Sequence, residues 1–128
     1  MVGLIASICL AFGLANQKTE SVSLMQLIIN PDQYHEKIVR VIGVSRIEFE
    51  ENGIWFSKEH YEHRVYKSSL WIVPDYDALK TTPKELKKYN GKYVLMEGVF
   101  NKNKHGHMGM NSGTLEEVTR FQLWEETE

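Results

Sequence analysis

The chain has 128 residues, which is enough for one domain of ordinary size and too few for two. Hydrophobic residues make up 42% and charged residues 25%, with three prolines and nine glycines, so the composition excludes a disordered tail, a collagen-like repeat and a coiled coil. Fifteen Lys and Arg stand against seventeen Asp and Glu, and the resulting net charge of −2 gives no overall basic footprint for nucleic acid.

The first fifteen residues carry no charged side chain. This run is too short to cross the hydrocarbon core of a membrane as a helix, which takes roughly 20 residues. It ends in small residues at Gly13 and Ala15, as a secretory signal does before its cleavage site. The single cysteine, Cys9, follows Ile8, which is not the small residue of a lipoprotein signal. We therefore expect residues 1–15 to be a signal peptide and the mature protein to be periplasmic or secreted, without stable membrane insertion after cleavage.

A short helix is predicted at the start of the mature domain. Residues 16–22 are mostly polar and predict a tether. Ser23 and Gln26 have the spacing of a capping box, in which each side chain satisfies a backbone N–H at the helix start. Asn30 followed by Pro31 ends the helix, because the residue before a proline is disfavoured in the helical conformation.

After this helix, apolar residues alternate with period two, which is typical of half-buried strands. Asn52-Gly53 predicts a hairpin turn between the first two strands. Thr82-Pro83-Lys84-Glu85 is a second capping box and predicts a short helix that ends near Asn90-Gly91. The predicted strands are residues 37–49, 54–56, 69–73, 92–100 and 114–124, with the helix between the third and the fourth and an acidic tail at 125–128.

Two of the predicted strands share a pattern. Tyr, Lys, Val, Gly and Val recur at identical offsets in residues 34–44 and 89–99, with Gly43 and Gly98 in mid-strand. A glycine there usually marks a bulge or a sharp bend, and two long bent strands suit a small closed barrel. Five strands with a helix between the third and fourth is the order of the OB-fold. The sequence therefore predicts an all-β, five-stranded OB-like Greek-key barrel over residues 23–124, with short helices.

The same segments resemble a family. The Ser-x-x-Gln helix followed by Asn-Pro-x-x-Tyr-x-x-Lys-x-Val-x-Val-x-Gly is similar to small bacterial exported OB-fold proteins of uncharacterised function. Further matching motifs are Ser57-Lys58 with Tyr61-Glu62-His63, Leu70-Trp71, and Gly106-His107-Met108-Gly109 with Ser112-Gly113. The resemblance covers nearly the whole mature chain, and it implies the fold but no established chemistry.

The five histidines raise the question of a metal site. His60 and His63 lack the His-Glu-x-x-His spacing of a zinc protease. His105 and His107 are a closer pair, because side chains at i and i+2 share a face of a strand. We expect solvated loop histidines and no metal, with a site at His105 and His107 as the alternative.

The residues of a catalytic centre are not evident. A mature chain would have no cysteine, and the sequence holds neither a Gly-x-Ser-x-Gly elbow nor a phosphate-binding loop. The adjacent carboxylates Glu50-Glu51 and Glu116-Glu117 would point to opposite faces of a strand. We therefore expect no enzyme activity and no cofactor.

An OB-fold most often binds its ligand on the face of its second and third strands. That region of the chain combines aromatic and cationic side chains, as stacking platforms and protein-docking surfaces do. Glu59 and Glu62 dilute the positive charge, so we expect no nucleic acid. The candidate ligand-binding residues are Trp55, Lys58, Tyr61, His63, Arg64, Tyr66, Trp71 and His107. The alternative is that Trp55 and Trp71 form a cross-strand pair that only packs.

These observations predict a non-catalytic, exported module that recognises a protein or a cell-envelope ligand. An inhibitor or immunity protein against a secreted toxin would have the same size, export and lack of catalytic residues. A His-based metal-binding module is the second alternative. The sequence indicates neither the ligand's identity nor the oligomeric state.

Overall fold

The computed structural model describes residues 17–124, so the predicted signal peptide (1–15) and acidic tail (125–128) lie outside the described residues. The strands are β1 (Glu20–Ser21), β2 (Ile38–Arg46), β3 (Gly53–Trp55), β4 (Ser69–Pro74), β5 (Tyr93–Asn101) and β6 (Thr114–Leu123). The helices are α1 (Leu24–Ile29), α2 (Pro31–Tyr34), α3 (Lys58–Glu62), α4 (Tyr76–Leu79) and α5 (Pro83–Leu86), with 3₁₀ turns at Tyr66–Ser68, Lys87–Tyr89 and His107–Gly109. Within residues 17–124, every helix is too short to span a membrane.

Five of the strands close into a barrel. Their order around the ring is β2-β3-β4-β6-β5, and β5 pairs back with β2. The pairing of β4 with β6 is parallel, whereas the other pairings in the ring are antiparallel. The predicted β-barrel is therefore confirmed, as a closed barrel of mixed strand direction with a few short helices.

The repeated pattern of β2 and β5 reflects their pairing with each other. The two strands run antiparallel, so that Val39 lies opposite Gly98 and Gly43 lies opposite Val94. The backbone bonds at the two ends of the pair also correspond: Ser45 N–H to Lys92 O, Gly91 N–H to Ser45 O, Phe100 N–H to Lys37 O, and Glu36 N–H to Phe100 O. The two repeats are thus related by a local two-fold axis, with a valine of each facing the glycine of the other.

Gly43 and Gly98 leave room for close contacts in the barrel wall. A Cβ atom on Gly43 would lie 2.6 Å from the carbonyl oxygen of Trp55, and one on Gly98 would lie 2.6 Å from that of Glu116. Both glycines have backbone conformations that other residues adopt, so space is what requires a glycine at these positions. At Gly98 the register between β5 and β6 also shifts, as the predicted bulge requires.

The barrel is filled by apolar side chains from every strand of the ring. The core includes Val39, Val41, Ile54, Leu70, Ile72, Val94, Met96, Phe100, Leu115 and Val118. Leu24 and Leu27 of α1 and Leu86 of α5 join this core from outside the sheet. The predicted capping box of α1 is present, with Gln26 N–H donating to Ser23 Oγ at 3.1 Å and Ser23 N–H donating to Gln26 Oε1 at 2.9 Å.

The structure corrects the predicted connection between the first two strands. Arg46 pairs with Gly53, so residues 47–52 form a longer loop and Asn52-Gly53 is not a two-residue hairpin turn. Glu50 takes a left-handed conformation with φ of 56° in this loop. The Asn52 side chain accepts a hydrogen bond from Glu48 N–H at 3.2 Å, which fixes the loop without the two-residue turn.

Three further elements differ from the sequence prediction. Glu20 and Ser21, placed in the tether, pair with β2 as a two-residue strand. The polar segment 57–68, predicted as a loop, contains α3, because the Ser57 hydroxyl accepts a bond from His60 N–H and caps the helix start. Asp75 caps α4 in the same way through Ala78 N–H.

Candidate functional site: a cleft on the outer face of β3 and β4

A cleft of about 250 Å³ lies between loop 47–52, strands β3 and β4, and the segment after the 3₁₀ turn at His107. We call it the indole cleft. It is lined by Phe49, Glu50, Glu51, Asn52, Trp55, Tyr66, Trp71, His107, Met110 and Asn111. Ile54 belongs to the barrel core, and successive side chains of a strand alternate between faces, so the neighbouring Trp55 faces outward to the cleft.

Trp55 faces outward, yet its side chain is 0% exposed. The ring of Tyr61 meets it edge-on at a centroid distance of 5.4 Å, and the ring of Tyr66 lies at 6.0 Å. The guanidinium of Arg64 lies 5.8 Å from the indole centroid. Segment 57–68 therefore covers Trp55, and the absence of a side chain at Gly53, whose Cβ would lie 2.8 Å from the indole, leaves room for the ring.

Trp71 is the half-buried tryptophan of the cleft. Strand register places Gly53 opposite Trp71 and Ser69 opposite Trp55, so the two indoles are diagonal neighbours and not a directly opposed pair. A Cβ on Gly106 would lie 2.8 Å from Trp71, and Gly106 has φ of 71°, so only glycine fits this close turn without strain. The loop after β5 thus passes directly against Trp71.

Glu51 lies between two arginines at the edge of the cleft. Its Oε1 accepts a hydrogen bond of 2.7 Å from Arg64 Nε. Arg46 Nε lies 2.8 Å from the same oxygen, as an ion pair whose Nε–H is not directed at it. Arg46 Nη1 donates to the Tyr61 hydroxyl at 3.2 Å, and the Tyr66 hydroxyl lies 3.4 Å from Glu51 Oε2. This network connects loop 47–52 to segment 57–68.

The network also sets the charge state of its members. Burial raises the pKa of Tyr66, and the negative charge of Glu51 raises it further, so the phenol stays neutral. Burial acts to lower the pKa of Arg46, but the Tyr61 hydroxyl and the charge of Glu51 outweigh it, and the net direction is upward. Arg46 therefore stays positively charged beside Glu51 at neutral pH.

Replacing Glu51 by glutamine is expected to lower the free energy of unfolding by about 1–3 kcal/mol, because two half-buried arginines lose their counter-charge while the shape is kept. Urea denaturation followed by circular dichroism measures the effect. Glu62→Gln, at an exposed position of α3, is the matched control. Its free energy of unfolding is expected to stay within about 0.5 kcal/mol of that of the wild type. Equal effects of the two variants would contradict a structural role for this network.

The structure brings together only part of the predicted site. Trp55, Tyr66, Trp71 and His107 line the indole cleft, whereas Tyr61 and Arg64 pack on Trp55 outside its lining. Lys58 lies elsewhere, with its Nζ 5.8 Å from the centroid of the Tyr93 ring. His63 is exposed at the end of α3, where its backbone N–H donates to Glu59 O.

The two histidines of the alternative metal site make separate contacts. His107 Nε2 lies 3.4 Å from Glu50 Oε2, so this contact connects the loop between β5 and β6 to loop 47–52. His105 Nδ1 lies 2.9 Å from the backbone oxygen of Asn111. Between residues 17 and 124, no three His, Cys, Asp or Glu side chains are grouped so as to hold a metal ion.

Sequence reasoning missed the apolar rim of the cleft. The sequence predicts Phe49 in the first strand, but that strand ends at Arg46, and Phe49 is 88% exposed. Met108 and Met110 follow His107, and they are 82% and 42% exposed. The Gly- and Met-rich run 106–110 was the available signal for this rim. Comparison of the chain with protein-family models and with curated proteins finds no match.

Proposed function

We propose that this protein is a non-catalytic binding module that docks a protein partner on the indole cleft. The observation that carries the proposal is one cleft that combines a half-buried tryptophan with an exposed apolar rim. Phe49 and Met110 line the cleft, and Met108 lies on the same loop. Grouped apolar side chains in water are typical of interaction surfaces, and Trp, Tyr and Met are enriched at interface cores.

We further propose that the barrel is of the OB type. The closed ring order and the parallel pairing of β4 with β6 support this assignment. OB-folds bind ligands on their second and third strands, between the loop after the first strand and the loop after the fourth. Counting from β2, those elements are β3, β4, loop 47–52 and the loop between β5 and β6, and they surround the indole cleft.

Photo-crosslinking in the producing cell tests the docking proposal. Benzoylphenylalanine in place of Phe49 or Met110 is expected to crosslink the same partner protein, because both side chains are exposed at the cleft. Lys84, exposed on α5, is the control position and should not yield that species. A Trp71→Ala change should remove the crosslink at Phe49.

The docking proposal fails if neither cleft position crosslinks a protein, or if the Lys84 position yields the same product. It also fails if the product at Phe49 survives Trp71→Ala, because the cleft would then not hold the partner. Mass spectrometry of the crosslinked species distinguishes an envelope protein from a secreted toxin. The toxin would make the chain an inhibitor that uses the same cleft.

We propose that residues 1–15 direct the chain out of the cytoplasm and are then removed. The uncharged apolar run ending in Gly13 and Ala15 supports this proposal. In cells that express the full chain, the exported fraction is expected to begin at Asn16, as read by N-terminal sequencing. Exported protein that still begins at Met1 would contradict it.

A further inference from the structure

We infer that the indole cleft binds a cationic side chain, an arginine or a lysine, of the docked partner. This inference rests on the proposed docking function and specifies the residue that the cleft selects. The cleft lining contains the carboxylates of Glu50 and Glu51 together with aromatic rings, and none of its lining residues is a lysine or an arginine.

The chain already holds one cation, the guanidinium of Arg64, beside aromatic rings and a carboxylate. The guanidinium of Arg64 lies 4.5 Å from the centroid of the Tyr61 ring and 5.8 Å from that of Trp55. Its Nε donates to the Glu51 carboxylate at 2.7 Å. A cation over an aromatic face with a carboxylate at its edge is favoured by the ring quadrupole and by a charge-assisted hydrogen bond. This region of the protein thus shows which chemistry stabilises a guanidinium here.

The indole cleft has the same components, aromatic rings and a carboxylate, on the side that is open to solvent. Trp71 and Tyr66 supply the rings, and the Glu50 side chain, 52% exposed, supplies the carboxylate. Glu51 is already paired with Arg46 and Arg64, so Glu50 is the lining carboxylate that a partner's cation meets. His107 faces Glu50, with its Nε2 3.4 Å from Glu50 Oε2.

The occupant belongs to a protein and is not a free amine. A small amine would contact only the rings and the carboxylate. Phe49 and Met110 add an apolar rim that such a cation leaves in water. A polypeptide segment covers the rim with its flanking side chains while its basic residue enters the cleft, and flexible methionines adapt to such segments.

Peptide selection tests this inference directly. Random peptides displayed on phage are selected on the full chain, and those that also bind the Trp71→Ala variant are discarded. We expect the remaining peptides to share an arginine or a lysine. Replacing that arginine by citrulline, which keeps the shape and removes the charge, should weaken binding of the synthetic peptide about tenfold.

Two matched variants, each lacking one carboxylate, show which residue supplies the negative charge that binds the peptide. Glu50→Gln should weaken the arginine peptide about tenfold and leave the citrulline peptide unchanged, whereas Glu62→Gln should change neither. Trp71-dependent peptides that are neutral or acidic, or that ignore Glu50→Gln, overturn this inference and leave the docking proposal standing. A selection that yields no Trp71-dependent peptide overturns both.

Discussion

Replacing Trp55 by alanine is expected to lower the free energy of unfolding by about 3–5 kcal/mol, as removal of a fully buried large side chain does. The indole is 0% exposed, and the rings of Tyr61 and Tyr66 pack against it together with the Arg64 guanidinium. The cavity left behind cannot close by a small shift, because the network around Glu51 holds these groups in place. Urea denaturation followed by far-ultraviolet circular dichroism measures the loss.

Trp71→Ala is the control that separates folding from binding. Trp71 is half-buried on the next strand, so its truncation should cost about 1–2 kcal/mol, clearly less than Trp55→Ala. It should abolish partner crosslinking at Phe49 while the protein stays folded. If the two variants lose the same stability, Trp55 is not the packing anchor of segment 57–68. A Trp55→Phe variant should recover part of the stability, because a ring is retained.

The barrel could be predicted because its determinants are local in sequence. Ser23 and Gln26 set the start of α1 through bonds three residues apart, and the structure contains both. Period-two alternation identified every strand of the ring to within a few residues at its ends. The repeat around Gly43 and Gly98 indicated closure, although its physical basis, space beside a carbonyl oxygen, is visible only in three dimensions.

The site could be predicted only in part, because burial on the outer face depends on distant residues. Alternation shows that Trp55 faces away from Ile54, but not that segment 57–68 folds over it. Ser57 caps α3, but a five-residue polar helix lacks an apolar stripe, so periodicity predicts a loop over this segment. The position of Phe49 depends on where β2 ends. Strand-forming residues continue up to Phe49, so the sequence does not show that the strand ends at Arg46.

Alanine at Gly43 or at Gly98 is expected to lower the free energy of unfolding by about 3 kcal/mol in each case, at the upper end for overpacking of a core. The new Cβ would lie 2.6 Å from a backbone oxygen on the neighbouring strand, and a strand cannot yield as a flexible side chain can. At Gly43 the Cβ would also meet Ile54 and Leu24 at 2.7 Å, so α1 would have to move as well.

The comparison that isolates space from backbone conformation is Gly109→Ala. Gly109 has φ of 68° and no atom within 4 Å of a new Cβ, so it should lose only about 1–2 kcal/mol, the cost of a left-handed residue. Gly43 and Gly98 have the opposite combination, an ordinary backbone and no space. A larger loss at Gly109 than at Gly43 and Gly98 would show that the strands separate easily. The close contacts beside Gly43 and Gly98 would then not limit the stability of the barrel.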